Sequence, residues 1–253
     1  HPPSRPPPAL IACLPRRRAG KTTVLRHLLQ NTDLKIGCIV NDVAAVNIDA
    51  KLIRKDQQEA AAAAAGAGGA AAGSVADLTD TIELANGCAC CSVADEVMTS
   101  FENLLAVARK RGVTYDRIVL ENSGVAEPQN LRDLFAEAAA SGHPAMRELR
   151  LDSLVTVVDA ATFVELFSSR APLAQRPELG DGGGMRPIVD LLVEQVECAD
   201  HVVLNKLDLL APPSAADSLA EIVASLNPLA SVERCVRGEV DVPKLFGRAA
   251  AGL

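Results

Sequence analysis

The sequence predicts an α/β fold in which helices cover a doubly wound, mainly parallel sheet. Short apolar runs rich in β-branched residues alternate with longer stretches of helical spacing, which is typical of strands joined by helical crossovers. The runs are apolar on both faces, as expected of strands that are covered on each side. With 253 residues and 49% hydrophobic content, the chain has enough apolar side chains for a substantial core.

Each element follows from the local spacing of apolar residues. The first strand is predicted at residues 9–14 and stops at a loop, after which residues 22–30 show helical spacing. Further strands are predicted at residues 35–41, 115–121, 154–159 and 201–205. Helices are predicted between them, at residues 93–110, 130–140, 188–198 and 215–226.

One domain is predicted over residues 9–242, with two insertions. Residues 59–76 are mostly Ala and Gly, which favours a mobile surface loop or a marginal helix. Residues 168–184 carry Pro, Arg and a glycine run, which is typical of an exposed connection. Residues 1–8 lack an initiator Met and a signal stretch, so we expect the disordered edge of a longer chain. Residues 243–253 are expected to be a truncated linker, with no C-terminal domain after it.

Charge and composition argue against several classes of protein. A formal net charge of -7, one Tyr, five Phe and no Trp argue against a nucleic-acid partner. No apolar run reaches transmembrane length, which argues against a membrane partner. Seven cysteines, three of them crowded together, indicate a reducing compartment. We therefore expect a soluble protein of the cytoplasm or an organelle stroma, although no targeting segment is visible.

A phosphate-binding loop is predicted before the first helix. A P-loop places backbone N–H groups around phosphates, with a lysine on the β- and γ-phosphates and a hydroxyl on Mg²⁺. Gly20, Lys21 and Thr22 occupy its last three positions and are followed by Thr23. Pro15 stands in place of the usual first glycine, and residues 16–18 are all Arg. Weak or altered nucleotide binding is one alternative, because proline lacks the N–H and arginine adds bulk; a simple helix start is another.

A base-reading turn is predicted after the strand at residues 201–205. The sequence Asn205-Lys206-Leu207-Asp208 has the pattern with which guanine-nucleotide proteins bind their base. The Asp accepts hydrogen bonds from the N1 and N2 groups of guanine, and adenine presents no such donor pair. An ordinary strand-end turn is the alternative, and the phosphate loop upstream favours the base reader.

An acidic residue closes the strand predicted at residues 115–121. Glu121 at this position can reach Mg²⁺ or orient the attacking water, and the N–H of Gly124 can sense the γ-phosphate. Such a glycine can anchor a switch loop. The alternative is a plain strand end with a solvated glutamate.

Three crowded cysteines predict a metal site. Cys88, Cys90 and Cys91 offer three thiolates to a soft or borderline cation, with Zn²⁺ foremost. An open fourth position suits a metal that is handed on. The alternative is one or two buried thiols with a reactive one. The isolated histidines are predicted to be ordinary surface or core groups, and the remaining cysteines to be small core residues: Cys13, Cys38, Cys198 and Cys235.

Taken together, these motifs resemble those of the CobW-type metallochaperone GTPases, P-loop proteins proposed to deliver zinc or cobalt. The resemblance runs from about residue 9 to about residue 242 and is greatest to the zinc-chaperone branch. It is carried by Gly20-Lys21-Thr22-Thr23 and by residues 40–49, 86–91, 121–128, 157–159 and 205–208. It implies a P-loop NTPase fold of the SIMIBI-like GTPase type.

The resemblance implies a role for each site residue. The implied catalytic residues are Lys21 and Glu121. The implied nucleotide-binding residues are Gly20, Lys21, Thr22, Thr23, Gly124, Asn205, Lys206 and Asp208. The implied ligands are Thr22 and Glu121 for Mg²⁺, and Cys88, Cys90 and Cys91 for the transition metal. Asp42 and Asp49 lie in the segment similar to the first switch of the family.

Three departures from the family pattern limit this transfer. The family has glycine where Pro15 and Arg18 stand, and those glycines shape the phosphate-binding loop. Related members often have Glu in place of Ala45. The smaller C-terminal domain of the family is expected to be missing here.

The resemblance implies a GTP-hydrolysing domain that binds GTP, GDP, Mg²⁺ and Zn²⁺, with Co²⁺ as the alternative metal. Its nucleotide state would control metal transfer to a client protein, and a homodimer is left open. A degenerate relative that binds metal or nucleotide without hydrolysing GTP is the alternative. A P-loop kinase is a third hypothesis, but it leaves Asn205–Asp208 and the three cysteines without a role.

Overall fold

The computed structural model describes residues 9–15, 19–40, 79–83, 93–121, 127–175 and 185–245, with side chains described except at residues 9–15, 40, 79–83 and 93–96. Within these ranges the strands are β1 (Ala9–Pro15), β2 (Ile36–Val40), β3 (Thr79–Glu83), β4 (Arg117–Glu121), β5 (Arg150–Asp159), β6 (His201–Asn205) and β7 (Ser231–Arg234). The helices are α1 (Lys21–Gln30), α2 (Val93–Arg111), α3 (Pro128–Ala140), α4 (Ala160–Phe167), α5 (Ile188–Glu197), α6 (Ala215–Leu226) and α7 (Val242–Leu245). The chain divides into two compact units.

The first unit comprises residues His1–Ile11, Thr32–Glu121 and Asp133–Asp152. Its strands follow the order β3-β2-β4, and both strand pairs are parallel. Helix α2 packs so closely on β2 that a Cβ atom added at Gly37 would come 2.8 Å from Leu104 Cδ2. Phe101 of α2 meets Phe135 of α3 edge to face, with ring centroids 5.6 Å apart. The largest fully buried side chains of this unit are Ile36, Ile39, Phe101, Leu104, Ile118, Leu120 and Leu149.

The second unit comprises residues Ala12–Asn31, Asn122–Arg132 and Ser153–Leu253. Its strands follow the order β1-β5-β6-β7, and β5, β6 and β7 pair in parallel. The apolar faces of α4, α5 and α6 bury a common core with β5 and β6, including Phe163, Leu192, Leu204 and Leu219. Asp159 and Asn205 are register partners at the last positions of β5 and β6. Since parallel strands end at the same edge of a sheet, the segments that follow β5 and β6 lie together there.

The predicted strands and helices that lie in the described residues are confirmed. The largest difference is at β5, which begins at Arg150 instead of residue 154. The Ala/Gly-rich insertion at residues 59–76 lies outside the described residues. Within the predicted connection at residues 168–184, Leu173–Gln175 forms a 3-10 turn and Pro172 bridges to Pro187.

Four elements were not predicted from the sequence: β3, α4, β7 and α7. The Thr-Asp-Thr-Ile-Glu sequence of β3 and the Ser-Val-Glu-Arg sequence of β7 are polar, and both strands lie at the end of their strand order. Helix α4 follows β5 without an intervening loop, so no turn residues separate the two patterns. No helix in the described part of the chain is long and apolar enough to cross a membrane.

Candidate functional site

Helix α1 begins at the predicted phosphate loop, directly after Gly20. Gly20 has a left-handed backbone with φ 98°, and its carbonyl accepts the first helical hydrogen bond, from the N–H of Val24 at 2.9 Å. Lys21 is buried, Thr22 is half-buried and Thr23 is exposed. The start of a helix presents N–H groups with no partner inside the helix, together with the positive end of the helix dipole. This arrangement suits a phosphate group.

Asn205, at the end of β6, connects the predicted phosphate loop to the segment that follows β7. Its side-chain Nδ2 donates to the carbonyl oxygen of Ala19 at 2.9 Å. Its Oδ1 accepts from the N–H of Gly238 at 3.0 Å and from the Cys235 thiol at 3.3 Å. The residue is 1% exposed. Asn205 is therefore a structural link between three segments, and its predicted contact with guanine stays a prediction.

The turn after Asn205 is set by an unusual backbone conformation. Lys206 has a left-handed backbone with φ 65°, and Leu207–Leu209 then forms a 3-10 turn. The Nζ atom of Lys206 donates to Asp159 Oδ2 at 2.6 Å. Asp208, the predicted base-reading residue, is exposed. The turn thus has one anchored cation and one exposed carboxylate two residues apart.

Sequence reasoning missed the segment that follows β7, which forms another wall of this site. Its backbone is tied to β6, because the N–H of Cys235 donates to the carbonyl of Leu204 at 2.9 Å, and to the turn, because the N–H of Leu207 donates to the carbonyl of Cys235 at 3.4 Å. A Cβ atom at Gly238, which has φ 77°, would come 2.8 Å from the backbone nitrogen of Val24. On the far side, His27 Nε2 lies 2.9 Å from the carbonyl of Val240. The sequence signal was weak: one glycine in a short, poorly patterned stretch.

Glu121 lies in the first unit, at the last position of β4 opposite Val40. It is 1% exposed, so the predicted solvated glutamate is not what the structure has. Burial of the Cys38 thiol raises its pKa to about 12, and the negative charge of Glu121 is the second, smaller cause. A buried carboxylate at the carboxyl end of a parallel strand has the chemistry of a hard cation ligand.

The described cysteines differ in their surroundings. Cys38 and Cys235 are buried, which confirms their prediction as core residues. Burial raises the pKa of Cys235 to about 11, which keeps the thiol protonated. The prediction was wrong for Cys198, which is half-buried at the end of α5 with its thiol 3.9 Å from Gln129 Oε1. The side chain of Cys13 lies outside the described residues.

Glu127, within the 121–128 motif, belongs to an ionic network. Arg186 donates to both Glu127 and Glu194, and Asn130 donates to Glu127 Oε2 at 2.9 Å. Burial disfavours the charged form of Arg186, but its bonds to Glu194 and Glu127 outweigh burial and raise its pKa. The network fixes the start of α3, directly after the segment that contains Gly124.

Several predicted site residues lie outside the described residues: Cys88, Cys90, Cys91, Gly124, Asp42, Asp49 and the arginines at 16–18. Their roles stay predictions. In the parts of the chain that the structure does describe, no group of three or more His, Cys, Asp or Glu side chains is placed to hold a metal ion.

Comparison with known proteins places the chain in a family. Residues 18–234 match the model of the CobW/HypB/UreG nucleotide-binding domain. The chain belongs to this CobW/HypB/UreG family. The matched range is continuous from residue 18 to residue 234, which confirms the predicted resemblance.

Relatives in the CobW/HypB/UreG family include the zinc chaperone CobW of Sinorhizobium sp, 34% identical over 234 residues, or 90% of this chain and 59% of the relative. The zinc-regulated GTPase metalloprotein activator 1 of Dictyostelium discoideum is 30% identical over 230 residues, which cover 90% of this chain and 46% of the relative. The chain therefore spans about half the length of these relatives.

Solved structures share the fold. Zn(II)-bound YjiA GTPase from E. coli has a TM-score of 0.60 and 21% identity, covering 98% of this chain and 64% of that chain. HypB from Helicobacter pylori in complex with nickel has a TM-score of 0.54 and 16% identity, covering 96% of this chain and 84% of that chain. These similarities confirm the predicted α/β class of the P-loop GTPases.

Proposed function

We propose that this chain is a GTP-binding and GTP-hydrolysing metallochaperone domain. Its nucleotide state would control the binding and transfer of a divalent metal, with zinc as the cargo, through Cys88, Cys90 and Cys91. The two relatives described above carry the names zinc chaperone and zinc-regulated GTPase metalloprotein activator, which supports this cargo and this use of GTP. GDP and phosphate are the products, and a metal-requiring client protein receives the cargo.

The hydrogen bond from Asn205 Nδ2 to the carbonyl of Ala19, at 2.9 Å, is the strongest structural support for this function. It joins the end of β6, where the base-reading turn begins, to the residue before Gly20. The start of α1, to which we assign the phosphates, and a turn with an exposed Asp208 are therefore held together within one unit. This pairing suits a ligand that has phosphates at one end and a flat base at the other.

The start of α1 fits a nucleoside triphosphate bound with Mg²⁺. Its N–H groups and dipole favour phosphate oxygens, Lys21 adds a positive charge, and Thr22 adds a hydroxyl for the cation. The resemblance to the family assigns Glu121 to Mg²⁺. Bound Mg²⁺ would neutralise charge on the β- and γ-phosphates. Lys21 would hold the phosphates, Glu121 would orient the attacking water, and Gly124 would sense the γ-phosphate.

Three thiolates in four positions suit a cargo metal better than a permanent structural ion. A structural zinc site is closed by four nitrogen or sulfur ligands, and Cys88, Cys90 and Cys91 supply three. Thiolates select zinc over magnesium and calcium, which prefer oxygen ligands. The fourth coordination position of the metal can then be filled by a ligand from the client protein. Co²⁺ is the alternative cargo.

Replacing one carboxylate oxygen of Asp208 by an amide nitrogen tests whether Asp208 binds guanine. A carboxylate accepts hydrogen bonds from the N1 and N2 groups of guanine, whereas xanthine has a carbonyl at C2. The Asp208→Asn variant, which presents an N–H₂ group, is expected to lose about 100-fold in GTP affinity, since two charge-assisted hydrogen bonds are lost. It should gain affinity for XTP. Titration calorimetry with both nucleotides measures the two changes.

Asp217→Asn is the matched control, because Asp217 is exposed on α6, where it pairs with Arg234 at 2.7 Å. This variant should bind GTP as the unmodified protein does. An Asp208→Asn protein with the original preference for GTP over XTP would show that the base is bound elsewhere.

Pro15 supports a second candidate function. It ends β1 where the family has a glycine, so one N–H of the usual phosphate loop is missing. The second candidate is a relative that binds metal and nucleotide without hydrolysing GTP. Release of phosphate from GTP, measured with and without Pro15→Gly, separates the two. Turnover in the unmodified chain supports the enzyme, and its absence there supports the second candidate. Turnover that appears only in Pro15→Gly assigns the loss of hydrolysis to the missing N–H.

A further inference from the structure

Asp159 uses its two carboxylate oxygens for two different tasks. Oδ1 accepts from the N–H of Ala161 at 3.1 Å and so caps the start of α4. Oδ2 accepts from Lys206 Nζ at 2.6 Å. The carboxylate side chain is 12% exposed, and the lysine side chain is 28% exposed. Because the pair is largely shielded from water, solvent weakens its attraction less than that of a surface ion pair.

The position of Asp159 places this ion pair at the edge of the sheet where the nucleotide site lies. Asp159 is the last residue of β5 and stands opposite Asn205, the last residue of β6. Lys206 follows Asn205 directly. The carboxylate therefore reaches across one strand spacing to hold the first residue of the base-reading turn.

The conformation of Lys206 explains why this turn needs an anchor. A left-handed backbone is unfavourable for residues with a Cβ atom, and lysine has no short polar side chain to offset it. The ion pair holds the side chain of Lys206, whose backbone has a φ of 65°. This φ sets the direction of the chain after Lys206. Two residues later the chain presents Asp208, which is exposed.

We propose that Asp159 is a positioning residue for guanine recognition: it anchors Lys206 so that the left-handed turn holds the Asp208 carboxylate in place before the nucleotide binds. This role rests on the proposed function, because it requires that Asp208 bind the base. Asp159 itself contacts no base in this scheme. A preorganised turn loses less conformational entropy on binding, so the anchor raises both affinity and selectivity.

The test uses Asp159→Asn, which separates the two tasks of the carboxylate. Asparagine retains an oxygen that can accept from the N–H of Ala161, and it is a good helix cap, but it carries no charge to hold Lys206. The binding of GDP, IDP and ADP is measured by calorimetry with Mg²⁺ present. IDP lacks the N2 amino group, so the ratio of GDP to IDP affinity reports the contact made by Asp208.

The expected result is a loss of about 10- to 100-fold in GDP affinity, the equivalent of one charge-assisted hydrogen bond, and a fall in the GDP-to-IDP ratio toward one. The melting temperature should stay close to that of the unmodified protein, because the cap is retained. In a Lys206→Ala background, Asp159→Asn should cause no further loss, since the two residues act as a pair.

Two results would overturn the positioning role of Asp159, and neither is the result expected if the proposed function is wrong. If Asp159→Asn binds GDP and IDP with the original ratio, Asp159 is only a helix cap. If both affinities fall equally, the residue supports the fold and does not position Asp208. Should Asp159→Asn not fold, Lys206→Gln, which leaves the cap intact, must lower the same ratio. An unmodified protein without preference for GDP over ADP would contradict the proposed function itself.

Discussion

Gly20→Ala is expected to abolish nucleotide binding and to lower the free energy of unfolding by about 3 kcal/mol or more. A Cβ atom at Gly20 would come 2.3 Å from Asn205 Nδ2, and the φ of 98° is unfavourable for alanine. The amide of Asn205 would have to swing away, which breaks its buried hydrogen bonds to Ala19 and Gly238. A buried polar group without its partner costs about 1–3 kcal/mol.

Thermal unfolding followed by circular dichroism measures the stability change, which should lower the melting temperature by roughly 6–12 °C for a chain of this size. Gly142→Ala is the matched control: Gly142 also has a positive φ, of 70°, but no atom lies within 4 Å of the added Cβ. This control should lose about 1 kcal/mol from backbone strain alone and bind nucleotide normally. Equal stability and binding in the two variants would show that the contact with Asn205 is unimportant.

Glu121→Gln is expected to lower GTP turnover by about 100-fold or more while GTP binding is retained. Glutamine has the shape of glutamate but no charge to hold Mg²⁺ or orient the attacking water, and general acid–base groups contribute about 10²–10⁴-fold to such rates. Because Glu121 is 1% exposed, the isosteric change should leave the packing around it intact. Single-turnover phosphate release measures the rate, and calorimetry measures GTP affinity.

Glu148→Gln is the control for this substitution. Glu148 pairs with Arg109 at 2.6 Å on the surface of the same unit, and its side chain is 46% exposed. Turnover should be unchanged in this variant. If Glu121→Gln hydrolyses GTP at the original rate, another residue must serve the reaction, and the role of Glu121 is limited to the fold.

The sequence predicts the local parts of this site well. The strand, loop and helix around Gly20-Lys21-Thr22 appear as a change of apolar spacing within about twenty residues, and Asn205-Lys206-Leu207-Asp208 follows a strand with a strong pattern. Both lie where they were predicted, at the start of α1 and at the end of β6. Local patterns are sufficient here because each motif begins at or shortly after the end of one short strand.

The connections between these parts could not be predicted. The link from Asn205 to Ala19 spans 186 positions of the chain, and the link from Lys206 to Asp159 spans 47. Neither changes the local pattern of apolar residues. The segment around Gly238 was missed for the same reason, since its importance comes from packing against Thr23 and Val24. Asp159 was predicted only as the last residue of a strand, and helix α4, which it caps, was not predicted.

If nucleotide state controls the metal site, the affinity of the chain for zinc must change with the bound nucleotide. Zinc is titrated against a chromophoric chelator with the chain bound either to GDP or to a slowly hydrolysed GTP analogue. We expect the two zinc dissociation constants to differ by about tenfold, within the usual range for coupled sites. Cys88→Ser should lose high-affinity zinc binding, whereas Cys198→Ser, at a half-buried cysteine outside the motif, should retain it. Equal zinc affinity in the two nucleotide states would show that the nucleotide does not control the metal site. Tight zinc binding that persists in Cys88→Ser would show that the zinc ligands lie elsewhere.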